Sequence, residues 1–150
     1  MNLTLPRTST GTILRTAAHL LNYYGLHTGH QFASIDGRLD ICAAIFRAAT
    51  GKTPNCFLTD EDASLLQIRV CEPAMDAIRM LSAVLPTLPP TDVDTGVDDH
   101  IEHVCHWAVT PVWTGNADDQ PPTMPEVIGL ILRAAQAADA LTAAPHQNAA

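Results

Sequence analysis

Three histidines stand three residues apart, at His100, His103 and His106, with Cys105 beside the last and Asp98, Asp99 and Glu102 among them. Imidazoles one helical turn apart can share a metal ion, and zinc is the ion that such nitrogen, sulfur and carboxylate donors would take. Each helical residue advances by ~100°. With His100 as origin, Val97, Ile101, Val104 and Ala108 gather on the predicted core face, whereas His103 and His106 fall outward. The outer two rings then diverge by ~120°, too far for one tetrahedral ion to collect all three from this helix. A two-histidine site at His100 and His103, completed from elsewhere, is the metal reading. The competing reading is a solvated histidine stripe that charges at about pH 5 to 6.

A second pair, His27-x-x-His30, lies between Gly25 and a polar loop. It has the composition of a metal or proton-handling site, and equally of a loop that uses its imidazoles for capping. Cys42 is predicted to open a helix, where the backbone dipole lowers a thiol pKa and makes a nucleophile. Asp40 beside it works against the thiolate. Asp92-x-Asp94-x-Gly96 resembles the start of a calcium loop, but the sixth and twelfth positions are Val97 and His103 rather than Gly and Glu, which excludes an EF-hand. The chain has no phosphate loop, nucleophile elbow or dinucleotide fingerprint.

Local signals define the elements that position these groups. Ile13, Leu14, Ala17, Ala18, Leu20, Leu21 and Tyr24 recur at helical spacing over 10–24, and Gly25 stands where a helix-ending glycine belongs. A structured loop follows to Leu39. Asp40 is an N-cap for a helix over 41–49, stopped by Gly51. Coil containing Pro54 leads to a third helix, about 60–71, with Thr59-x-x-Asp62 as its capping signature and Ala63, Leu66, Ile68 and Val70 as its apolar positions. Pro73 fits the first turn of a fourth, which places Met75, Ile78, Leu81, Ser82 and Leu85 on one face. A fifth spans about 98–108. Thr123-x-x-Glu126 is a capping box that opens a last helix of about nineteen residues. The reading is a compact all-α domain of five to seven helices over 10–142, with irregular Pro- and Gly-containing loops, a flexible arm at 1–9 and a frayed tail at 143–150.

The 150 residues carry eight Lys or Arg against sixteen Asp or Glu, a formal net charge of −8. The arginines are dispersed, so no basic stripe exists to release counterions from phosphates, and direct nucleic-acid binding is not expected. Hydrophobic residues make up 47% and charged residues 16%, which excludes a disordered chain, and no run is long and apolar enough to span a bilayer. Cys42, Cys56, Cys71 and Cys105 lack paired spacing. Without a basic-then-apolar leader they read as four reduced thiols in a cytoplasmic protein.

Ala17-Ala18-x-Leu20-Leu21 with Gly25 and Gly29, then Gly37 and Cys42-x-x-Ile45, then Glu126-Val127-Ile128 with Leu132 and Ala134-Ala135, resemble a family of small helical proteins of high-GC bacteria known only as a domain of unknown function. The resemblance covers about residues 11–140 and implies a helical fold without assigning an activity, cofactor or catalytic residue. The expected function is a non-enzymatic interaction or regulatory module. It would act on a protein partner or by self-association, in the simplest case as a two-fold dimer. Two alternatives stand beside it. One is a metal- or small-ligand-binding protein using the histidines of either group; the other is an enzyme with Cys42 as nucleophile. No cofactor is expected except zinc in the metal case.

Overall fold

The computed structural model describes residues 8–111 and 119–143. Among them are seven helices: α1 (Thr10–Tyr24), α2 (Ile41–Thr50), α3 (Cys56–Thr59), α4 (Glu61–Arg69), α5 (Glu72–Val84), α6 (His100–Val109) and α7 (Met124–Ala143). Beta pairing among these residues is limited to isolated bridges, Leu26 and Ala33 with Leu39 and Thr91 with Asp98. The all-α expectation therefore holds. Most of the arm at 1–9, the tail beyond Ala143 and part of the irregular segment before α7 lie outside the described residues.

The periodic faces found in the sequence make the core. Ile13, Leu14 and Leu21 of α1 pack against α7 and α2, whose Val127, Ile131 and Ile45 are fully enclosed. Gly11 sits where α1 meets α7, and a Cβ there would lie 3.2 Å from the carbonyl of Ala135. Ile78 and Leu81 carry α5 into the same core, and α6 closes the other flank against α5 and α2.

Capping sets most of the helix ends. Gly25 (φ 95°) ends α1, its N–H donating to Leu21 O at 2.8 Å, and Gly51 ends α2 in the left-handed region. The Asp40 side-chain oxygen Oδ1 accepts from Ala43 N at 2.7 Å. Pro73 occupies the first turn of α5, where its missing N–H costs nothing. At α7, Glu126 N donates to Thr123 Oγ1 at 3.4 Å, and Thr123 N donates back to Glu126 Oε1 at 3.3 Å. Thr123→Ala is accordingly expected to cost ~1 kcal/mol, read as a lower denaturant midpoint. An unchanged midpoint would contradict the capping role.

Four expectations need correction. The segment after Pro54 is not all coil, because α3 buries Phe57 completely and is tied down by Ser64 Oγ, which donates to Cys56 O. The cap of α4 is Asp60 rather than Thr59, its carboxylate accepting from Ala63 N at 3.0 Å. Leu66 and Val70 are exposed, because α4 turns only Ser64 and Ile68 fully inward. Val97 precedes α6 and is exposed, whereas His103, expected to point outward, is 4% exposed. The buried face of α6 runs from Ile101 through Val104 and Trp107 round to His103. The end of α5 and the Pro86–Thr87 segment cover the flank that a single-face reading assigns to solvent.

Candidate functional site

The structure separates the histidines into two environments. His100 and His103 converge on a hydroxyl: Ser82 Oγ of α5 lies 2.9 Å from His100 Nδ1 and 2.7 Å from His103 Nδ1, and Thr87 Oγ1 is 2.7 Å from His103 Nε2. A serine hydroxyl has one hydrogen to give, so it donates to one ring and accepts from the other. Either assignment leaves both nitrogens of His103 engaged. Burial first, and then the neighbouring His100, hold His103 below the ordinary imidazole pKa, which favours the neutral ring such a network needs. Among the described residues, no group of three His, Cys, Asp or Glu side chains has metal-binding geometry. Zinc titration at neutral pH is expected to show only weak binding, unchanged by His100→Ala or His103→Ala. A stoichiometric, sub-micromolar site lost in both variants would restore the metal reading.

His27, His30 and His106 line a cleft of about 450 Å3. It is lined by His27, His30 and Gln31 of the loop after α1, by Glu102, Cys105 and His106 of α6, by Asp40 before α2, and by Glu61 and Arg69 of α4. The loop is held by backbone geometry. Its entry is fixed by His27 N donating to Leu39 O at 2.8 Å, and its middle by Phe32 N and Ala33 N, which both donate to Phe57 O at 3.1 Å. His27 Nε2 donates to His30 O at 2.8 Å, so this pair is joined ring to backbone.

Gln31 is the departure from good local chemistry. Its φ is +69°, the only positive value at a non-glycine position among the described residues. Its side-chain carbonyl oxygen is buried without a hydrogen-bond partner, the single such atom among them. A left-handed backbone at a non-glycine residue costs ~1–3 kcal/mol, and an unsatisfied buried carbonyl costs ~1–3 kcal/mol more. Both costs fall on one residue, and that residue lines the cleft.

Asp40 shapes the floor. Desolvation pushes its carboxyl up to about 8, against the opposing hydrogen bonds from Ala43, Cys105 and Cys42. The group is therefore a neutral acid at pH 7, able to donate as well as accept. Cys105 Sγ lies 3.7 Å from Asp40 Oδ2 and 3.8 Å from Cys42 Sγ. The bond from Cys105 favours the Cys42 thiolate, but burial and the carboxyls of Asp40, Asp99 and Glu102 outweigh it, leaving that thiol above its ordinary pKa. This is the opposite of what nucleophilic catalysis at Cys42 requires. The bond to Cys42 and burial hold Cys105 higher still.

Sequence reading singled out His27, His30, His106 and Cys42 without placing them together, and it passed over Gln31 and the acid–thiol contact. No local pattern announces a positive φ at glutamine. Ser82 was legible, because a hydroxyl on the apolar face of α5 implies a buried polar partner.

Fold and cleft together define a small all-helical domain with one mixed imidazole, thiol and carboxyl cleft and no recognisable catalytic constellation among the described residues. Residues 5–137 match the model of a family of unknown function, DUF6197, and the chain belongs to that family. Among curated proteins and among solved structures, nothing matches the chain. No described helix is long and apolar enough to cross a membrane.

Proposed function

We propose that this protein is a non-enzymatic binding module of the cytoplasm whose cleft takes a small polar ligand bearing N–H donors. The carrying observation is Gln31, whose buried carbonyl oxygen lacks a donor while its backbone is held in a costly conformation. A ligand N–H supplies the missing bond once the Gln31 side chain turns its enclosed oxygen into the cleft. Glu61, Asp99 and Glu102 line the cleft against the single cation Arg69, which is paired with Asp99, and this balance favours amines and guanidines over carboxylates. Asp40 as a neutral acid gives the same ligand a donor next to these acceptors.

The test is an amide NMR titration of the whole chain with putrescine, methylguanidine and acetamide, with acetate as the control. Saturable shifts centred on 27–32 and on the Cys105–His106 face of α6 are expected for the N–H donors. Absence of saturable shifts there with every probe would reject the reading.

Self-association is a second reading, favoured by a separate groove of about 690 Å3 beside Trp107, Pro86 and Pro90. Leu88 at its edge is 91% exposed. Light scattering that gives a monomer at high concentration would remove it.

A further inference from the structure

We propose that Cys42 and Cys105 form a reversible disulfide when a small hydroperoxide enters the cleft, making the pair a redox modification site. The two thiols come from different helices, α2 and α6, that pack directly against each other. Their sulfur atoms are 3.8 Å apart. A disulfide bond is ~2 Å long, so closure needs a shift of roughly 1.8 Å between the sulfurs, shared between side-chain rotation and movement of α6. Cys105 is half-buried and lines the cleft, within reach of a small oxidant, whereas Cys42 is fully buried behind it. That placement separates an attacking from a resolving thiol. Cys56 and Cys71 are also free thiols, but they sit on other elements and do not line this cleft.

The chemistry balances with a hydroperoxide ROOH as oxidant. The deprotonated sulfur of Cys105 attacks the terminal peroxide oxygen. The O–O bond breaks, ROH leaves with the proton Cys105 gave up, and Cys105 becomes a sulfenic acid. The sulfur of Cys42 then attacks the sulfenic sulfur. The S–S bond forms, the S–O bond breaks, and the departing hydroxide takes the Cys42 proton as water. Two thiols lose two electrons, and the peroxide is reduced to ROH and water. Because the environment disfavours both thiolates, the attack is slow at neutral pH and accelerates as pH rises.

The experiment treats the intact chain with hydrogen peroxide at about pH 7 and about pH 9, then denatures it in alkylating reagent and maps the cysteines by mass spectrometry. The expected product loses two hydrogens, retains two alkylatable thiols at Cys56 and Cys71, contains a Cys42–Cys105 linked peptide, and forms faster at the higher pH. Dithiothreitol returns all four thiols. In Cys42→Ser, a sulfenic acid at Cys105 that reacts with dimedone should accumulate in place of the disulfide. Should that variant fail to fold, the wild-type peptide map decides alone. A linkage between any other pair, a dimer-forming disulfide, or four alkylatable thiols after oxidation would overturn the proposal.

Discussion

Phe57→Ala is expected to remove ~3–5 kcal/mol of stability, the range for emptying a buried aromatic site. Phe57 is fully enclosed, with ring centroids 5.7 Å from Phe32 and 5.3 Å from Phe46. Its carbonyl accepts both amides that hold the middle of the cleft loop. Against a typical total of ~5–15 kcal/mol, the loss leaves the variant marginal at room temperature. Urea unfolding measures it directly. Hydrogen exchange at Phe32, Ala33 and Asp40 should accelerate more than exchange along α1 and α7, because α3 anchors the loop and not the bundle. A loss below ~1 kcal/mol would mean that α3 is a passive connection.

Asp40→Asn carries the second large effect, and its sign depends on pH. The folded carboxyl titrates at about 8 and the unfolded one near the ordinary 3.8. Between those values the native state holds a proton that the unfolded state has released. Stability from this group is thus fully present below the unfolded value and declines as pH rises, at ~1.4 kcal/mol per pH unit. Asparagine keeps the cap on α2 and has no proton to lose. The variant should match the wild type near pH 4 and exceed it by about 3 kcal/mol two units higher. Chemical denaturation of both proteins across that range isolates the group, because all other titrations cancel in the difference. A difference that stays constant with pH would show that Asp40 is ionised in the fold.

What could be read from the sequence follows the range of the interactions involved. The ends of α1, α2 and α7 are set by Gly25, Asp40, Gly51 and the Thr123–Glu126 box, all within four residues of the backbone groups they satisfy. Helix α3 was hidden because four residues display no period. Its reason for existing is the burial of Phe57 against Phe32 of the loop and Phe46 of α2, which lie far from it in sequence. His103 looked solvent-facing because its burial depends on Ser82 and Thr87, which lie 21 and 16 residues away. The cleft was legible as separate parts, the loop histidines and His106, with Cys42 behind it at a helix start. Only the fold turns His100 and His103 onto Ser82 and brings His106 to the cleft of His27 and His30. The acidic composition argued against nucleic acid without pointing to a ligand, and nothing local to residue 31 indicated an unpartnered carbonyl.

On the proposed function, Gln31 is held as it is for a ligand and not for the fold. The most direct measurement is the unfolding free energy of Gln31→Gly in the absence of ligand. Glycine adopts φ near +69° without strain and leaves no buried carbonyl unpaired. Gln31→Gly is expected to be more stable than the wild type by ~1 kcal/mol or more. A variant less stable than the wild type would show instead that Gln31 supports the fold and is not held for a ligand.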